Sequence, residues 1–321
     1  MPSALRVVSF GECMLELQGQ AFGAMQQSYG GDSLNTAVYL ARCGRQDGQQ
    51  QRLQVDYATA LGDDPLSDGL LARWQADGLA TGLVRRIPGK LPGLYLIEVD
   101  GQGERRFSYW RGQSAARDYF DTAPGATPLE QQADQLDALY ISGISLAILP
   151  PAGRARLLAL AQQLNARGAL VAFDNNYRPR LWASLGEARA CFRQMLAVTS
   201  VALLTLDDEL ALWGATASAA SSATAAAHQQ ALSLDTPCAE VVIKRGAAAT
   251  LVRVAGGAVV QVPTVPVPQV VDTTAAGDSF AGAYLAARLG GATPVAAAAA
   301  GNRLAARVVQ HRGAIMPAGP V

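Results

Sequence analysis

Short strand-like apolar runs alternate with segments whose apolar residues recur at helical spacing. That pattern dictates an α/β fold with a mostly parallel sheet, because each crossover between parallel strands needs a helix to make it. Leu5–Phe10 reads as a first strand, Leu34–Cys43 as a helix stopped at Gly44, Asp56–Leu61 as a strand and Pro65–Asp77 as a helix closed by Gly78. Asp137–Ser142, Pro150–Arg167 and Ala169–Asn175 form a βαβ unit with Gly168 at its helix stop. Ser200–Leu204 and Val241–Lys244 are further strands, and Asp278–Leu289 and Pro294–Val309 are two closing helices. Cys13–Ser28 and Pro92–Trp110 break the rhythm by alternating, with turn residues such as Asp100-Gly101-Gln102-Gly103 between two halves. They read as hairpins outside the main sheet. Gly214–Asp235, mostly Ala, Ser and Thr, reads as a surface helix or loop.

Half of the 321 residues are hydrophobic, enough to bury a core without disulfides or metals. Lys+Arg and Asp+Glu balance at 26 each, which argues against nucleic acid or an anionic membrane as partner. Cys13, Cys43, Cys191 and Cys238 lie far apart with no C-x-x-C pair, the pattern of reduced thiols in a cytoplasmic protein. The N-terminus lacks a signal-peptide pattern, and no apolar stretch reaches membrane-spanning length. No Walker-type string occurs, and His228 and His311 make no plausible catalytic or metal-binding pair.

Asp272-Thr273-Thr274-Ala275-Ala276-Gly277-Asp278 leaves a region rich in Val and Pro and enters a helix. Its small residues allow a ligand to approach the backbone. The first N–H groups of that helix have no internal partners and, with the helix dipole, suit a phosphate or a developing oxyanion. A carboxylate there is held as an anion, ready to accept a hydroxyl proton. On local chemistry alone, helix capping is the better explanation of Asp and Ser near a helix start.

The string Asp272–Phe280 resembles the D-T-x-(A/G)-A-G-D-x-F signature of the ribokinase-like (PfkB) carbohydrate kinases, and Tyr29-Gly30-Gly31-Asp32-Ser33-Leu34-Asn35-Thr36-Ala37 resembles that family's G-G-x-x-x-N-x-A element. The resemblance spans essentially the whole chain. It implies one kinase domain over residues 1–321: a ribokinase-like three-layer α/β/α sandwich with a mostly parallel central sheet and a small β-sheet lid, its strands near 12–30 and 91–112. It implies Asp278 as catalytic base, with the backbone of Ala275, Ala276 and Gly277 as anion hole. Gly30, Gly31, Asp32 and Asn35 would face the sugar. On the ATP side the resemblance points to Lys244 and Gly246 of a K-x-G element, to Ala275 and Gly277, and to Asn302 near the adenine. Mg²⁺ would bridge the ATP phosphates. Asp207, Asp208 and Glu209 fall near the family's N-x-x-E element, which organises magnesium through water, but this sequence lacks the Asn and leaves the register of the acid open.

Three stretches look most like the acidic-sugar branch, whose substrate is 2-keto-3-deoxygluconate: Phe107–Arg111, Phe173–Trp182 with its D-x-N-x-R-P-x-L-W pattern, and His311–Ile315. A sugar acid carries a carboxylate, which guanidinium groups hold bidentately. Arg111 and Arg178 stand where the family has substrate-facing arginines, with Tyr95 and Tyr109 as hydroxyl donors and an aromatic wall, whereas Arg106 and Arg180 read as surface residues. The open alternatives are a kinase of the same family acting on ribose, fructose or a nucleoside, and a dinucleotide-dependent dehydrogenase. The latter would need a G-x-G-x-x-G that Gly11-Glu12-Cys13-Met14-Leu15 does not supply. An exposed β-sheet lid would favour homo-oligomers, since open edges need cover.

Overall fold

A strand such as Val201–Thr205, apolar on both faces, has no side to show water and must be covered above and below. The computed structural model, which describes residues 4–45, 53–99, 105–122, 125–214 and 238–317, satisfies that demand with three layers. The strands are β1 (Leu5–Phe10), β2 (Met14–Gly19), β3 (Met25–Gly30), β4 (Leu53–Ala58), β5 (Ala60–Leu61), β6 (Arg85–Arg86), β7 (Gly93–Val99), β8 (Arg105–Trp110), β9 (Ala138–Ser142), β10 (Leu170–Asp174), β11 (Val201–Thr205), β12 (Glu240–Arg245), β13 (Ala248–Val254) and β14 (Val260–Val262). The helices are α1 (Asp32–Gly44), α2 (Pro65–Ala76), α3 (Pro128–Gln131), α4 (Gly143–Ile148), α5 (Pro151–Ala166), α6 (Leu185–Leu196), α7 (Leu206–Trp213), α8 (Ala276–Leu289) and α9 (Pro294–Val308).

The main sheet runs β14-β13-β12-β11-β10-β9-β1-β4, parallel from β12 to β4 and antiparallel where β13 and β14 extend it. Alternate side chains of each strand enter different cores, as the two-residue period requires. Val8, Phe10, Leu139, Ile141, Ala202 and Leu204 pack with residues of α4 to α7, while Val7, Ala138, Tyr140, Val201 and Leu203 pack with α1, α2, α8 and α9. The three-layer sandwich therefore follows from strands with two apolar faces.

The two alternating segments form a separate four-stranded sheet, β3-β2-β7-β8, with β2 and β7 parallel and the outer pairs antiparallel. The turn expected at 100–103 lies outside the described residues, as does nearly all of the expected loop at 214–235.

Several expectations need correction. Gly44 does not stop its helix in a left-handed turn; it lies in the last turn of α1, where a side chain would crowd Leu53. Gly78 and Gly168, by contrast, do take positive φ, 88° and 85°. The strands β6, β13 and β14 and the helices α3, α4, α6 and α7 are additions to the expected element list. β14 escapes a sequence reading because a strand of three residues is too short to show a pattern, and α4 because a helix of six residues carries no period.

Candidate active site

In a parallel sheet the ligand crevice lies beyond the carboxyl ends of the strands. Here β10 ends at Asp174, β11 at Thr205 and β12 just past Lys244, while α1 and α8 begin nearby. The turn before α8 is pinned by Asp272. One of its carboxylate oxygens accepts the Thr274 N–H (3.0 Å) and hydroxyl (2.7 Å), and the other accepts the Gly313 N–H (3.1 Å). Ala275 then takes φ 60° as the residue ahead of the helix. That left-handed conformation costs an L-residue about 1 kcal/mol and turns the first helical N–H groups outward. The Ala276 N–H bends back to the Thr273 carbonyl (3.2 Å), so Ala276 is no free donor of an anion hole. No acceptor among the described residues takes the N–H of Ala275, Gly277 or Asp278, so Asp278 takes the place of Ala276 in the expected donor set.

Asp278 opens the first turn of α8, and its Oδ2 accepts the side-chain N–H of Asn35 at 2.8 Å. The two meet because α1 and α8 approach closely at Gly282, where any side chain would strike the backbone of Thr36 and Leu40. Burial and the neighbouring Asp32 carboxylate raise the Asp278 pKa to about 7, against the hydrogen bond from Asn35. Lys244 Nζ pairs with Asp174 at 2.6 Å and stands beside Gly277, where a side chain would come within 3.4 Å of the ammonium. Burial raises Asp174 and Lys244 opposes it. A positive charge thus sits next to unpaired helix N–H groups, a combination that fits the phosphates of a nucleotide. Gly246, with φ 60°, forms the tight loop that returns β12 into β13.

Among the three acids of α7 the structure separates three environments. Asp207 is exposed. Glu209 points inward, accepts from Asn175 Nδ2 at 2.9 Å and is raised to about 7 by burial. Asp208 accepts from the Tyr177 N–H (3.2 Å) and from Arg178 (3.4 Å), and burial raises it as well. Among the described residues no group of three His, Cys, Asp or Glu side chains could cage a metal ion. Asp208, which feels the charges of Asp174 and Lys244, is the acid of the three that fits a water-mediated contact to a phosphate-bound cation.

On the opposite side, Gly30 ends β3 and Gly31 precedes α1; a side chain on Gly31 would run into the Glu12 carbonyl, and one on Gly30 would press on the Tyr95 hydroxyl at 3.4 Å. Asp32 accepts from Asn176 Nδ2 at 2.7 Å. Tyr95 stacks on Tyr109, ring centroids 5.9 Å apart, and donates its hydroxyl to Glu16. Arg178 is half-exposed at the tip of β10. Arg111 is not free: its guanidinium pairs with Glu12, buried at 2% exposure, which also accepts the Ser114 hydroxyl. Its Nε is buried without a partner. Arg106 and Arg180 are exposed.

Asn302 departs most from its expected place. Its amide donates to the Val262 and Pro263 carbonyls (3.3 and 3.0 Å) and accepts from Thr250 (2.8 Å), so it ties α9 to β13 and β14 and has no donor left for an adenine. Glu12, Glu16, Asp174 and Asn176 join the site without having been expected there individually. Asp174 and Asn176 lie inside the Phe173–Trp182 stretch and could be found from it, whereas Glu12 and Glu16 are single acids with no local signal. Among the described residues no helix is long and apolar enough to cross a membrane.

Residues 4–319 match the model of the pfkB family carbohydrate kinases. The chain is 48% identical over 313 residues to a 2-dehydro-3-deoxygluconokinase of Dickeya dadantii, covering 97% of this chain and 96% of that one. It is 45% identical over 314 residues to the enzyme of the same name from Escherichia coli K12, covering 97% of each. Among solved structures, a PfkB protein from Polaromonas sp. JS666 superposes with a TM-score of 0.77 at 26% identity, over 96% of both chains.

Proposed function

The chain belongs to the pfkB family of carbohydrate kinases, and we propose that it transfers the γ-phosphoryl group of ATP to the 6-hydroxyl of 2-keto-3-deoxygluconate, also called 2-dehydro-3-deoxygluconate. The observation that carries this reading is the meeting of Asp278 with Asn35 at 2.8 Å, on a helix terminus with unpaired N–H groups and with Lys244 alongside. The relatives' names supply the sugar acid.

In this reading the substrate hydroxyl gives its proton to Asp278 as its oxygen bonds to the γ-phosphorus, and the bond from that phosphorus to the bridging oxygen breaks to release ADP. Phosphoryl transfer asks the protein for placement and charge neutralisation more than for covalent chemistry. Lys244 and the N–H groups of Gly277 and Asp278 stabilise charge on the phosphates, Asn35 aims the base, and Asp32 with the Gly30-Gly31 backbone seats the sugar. Asp208 would be the residue to hold a phosphate-bound Mg²⁺ through water, and that ion would supply further charge neutralisation. Arg178 takes the substrate carboxylate, while Arg111 spends an Nη2 donor on Glu12. Phe107, Tyr109 and Trp110, all exposed on the small sheet, fit self-association through that sheet; a monomer in sedimentation velocity would remove this part of the reading.

An ADP-release assay over a substrate panel tests the proposal. 2-Keto-3-deoxygluconate is expected to give the highest kcat/KM, and equal turnover of fructose or ribose would replace the sugar-acid reading with a neutral-sugar one.

A further inference from the structure

Asn176 lies just beyond β10, is buried, and holds a backbone φ of 25°. Non-glycine residues seldom occupy positive φ, and Asn is among those that tolerate it. Such a conformation persists only where the surroundings over-determine it. Here they do. The Asn176 N–H donates to Asn175 Oδ1 at 2.9 Å, and the same oxygen accepts the Thr205 N–H at 2.9 Å. Asn175 Nδ2 in turn donates to Glu209 and to the Thr205 carbonyl (3.1 Å). On the other flank Gly143 leaves room for the Asn175 carbonyl that any side chain there would strike. The outcome of this scaffolding is one side chain aimed across the cleft, from the tip of β10 to Asp32 at the start of α1.

Asp32 needs such a partner. It faces the carboxylates of Asp278 on α8 and Asp174 on β10, the latter paired with Lys244 from β12, and the buried hydroxyls of Tyr57 on β4 and Tyr140 on β9. An anion flanked by two other acids is free to turn away from them unless a donor fixes it.

We propose that Asn176 is a positioning residue: its amide holds Asp32 in the orientation that meets the sugar acid, so that it controls substrate seating without touching the substrate. The inference rests on the kinase reading above, in which Asp32 contacts the sugar.

Two substitutions separate the side chain from the backbone. Asn176→Gly accepts the positive φ and loses the donor; Asn176→Asp keeps the shape and sets a carboxylate against Asp32. Both are expected to raise KM for the sugar acid about tenfold or more, with the larger rise for Asn176→Asp, while KM for ATP stays at its wild-type value. Wild-type KM and kcat for the sugar acid in Asn176→Gly would overturn the proposal and reduce Asn176 to a backbone support. An equal rise in both KM values would overturn it too, as general loss of structure. Two controls keep the claims apart: no turnover of the sugar acid by the wild-type chain would remove the kinase reading, and full turnover by Asp278→Ala would remove the base assignment, whereas an unaffected Asn176→Gly with active wild type and inactive Asp278→Ala removes this inference alone.

Discussion

Asp278 and Arg111 are both charged residues expected to meet the substrate, yet the structure holds them in opposite ways. Asp278 stands on a helix packed against the main sheet, with one directed hydrogen bond from Asn35 and the remainder of its carboxylate turned to the cleft. Arg111 stands at the end of β8 in the small sheet and is already neutralised by Glu12. The phosphoryl side is thus built on core elements, with Lys244 already paired to Asp174 but the N–H groups of Ala275, Gly277 and Asp278 unspent among the described residues. The sugar side spends part of its polar inventory on holding itself together: Glu12 joins Arg111 and Ser114, and Glu16 joins Tyr95 and Ser28. Chemistry common to a family belongs on the first kind of platform, and substrate choice on the second.

Four substitutions probe that contrast. Asp278→Ala should lower kcat by about 10²–10⁴-fold with little change in melting temperature; a variant within a fewfold of wild type would end the base assignment. Titration of the same group gives a second check. The Asp278 pKa is raised to about 7, so the base is protonated and idle below that pH and ionised above it. Stopped-flow or coupled assays should find kcat/KM rising about tenfold per pH unit toward neutrality and then levelling, whereas a flat acid limb would contradict it.

Arg111→Ala leaves Glu12 charged and buried without its partner, which costs about 3–5 kcal/mol. Calorimetry should show a large fall in melting temperature, and the double variant with Glu12→Gln should recover much of it. If Arg111→Ala instead melts like wild type and only raises KM for the sugar acid, the two sides of the cleft are more alike than the ion pair suggests. Asn302→Ala removes three hydrogen bonds at the junction of α9 with β13 and β14, a loss of about 2 kcal/mol expected as a lower melting temperature with KM for ATP unchanged; a selective rise in that KM would return Asn302 to the nucleotide site. The smallest effect is expected from Arg178→Ala, about a tenfold rise in KM for the sugar acid with kcat retained. No change there would leave the substrate carboxylate without its main cation.

Much of the architecture is legible in the sequence because it rests on local chemistry. Strands with apolar residues on both faces, helices with Gly78 and Gly168 past their ends, and two alternating segments set apart from them lead to a sandwich with a second small sheet. β13 and β14 are not legible, because an antiparallel extension at the sheet edge needs no helix to announce it. In the site, Asp278, the paired glycines and Lys244 are readable since each belongs to a contiguous motif.

What lies beyond the sequence are the partnerships between residues far apart along the chain. The sequence by itself determined the parallel strands with most of their crossover helices, and that an acid opens a helix near the C-terminus, because those properties depend on neighbours within a few residues. Only the tertiary structure decided that Asp207, Asp208 and Glu209 meet three different environments, that Arg111 answers to Glu12, and that Asn302 serves the fold. Each depends on which side chain from a distant element arrives first to satisfy a buried charge or an unpaired donor, and that competition is settled by packing in three dimensions.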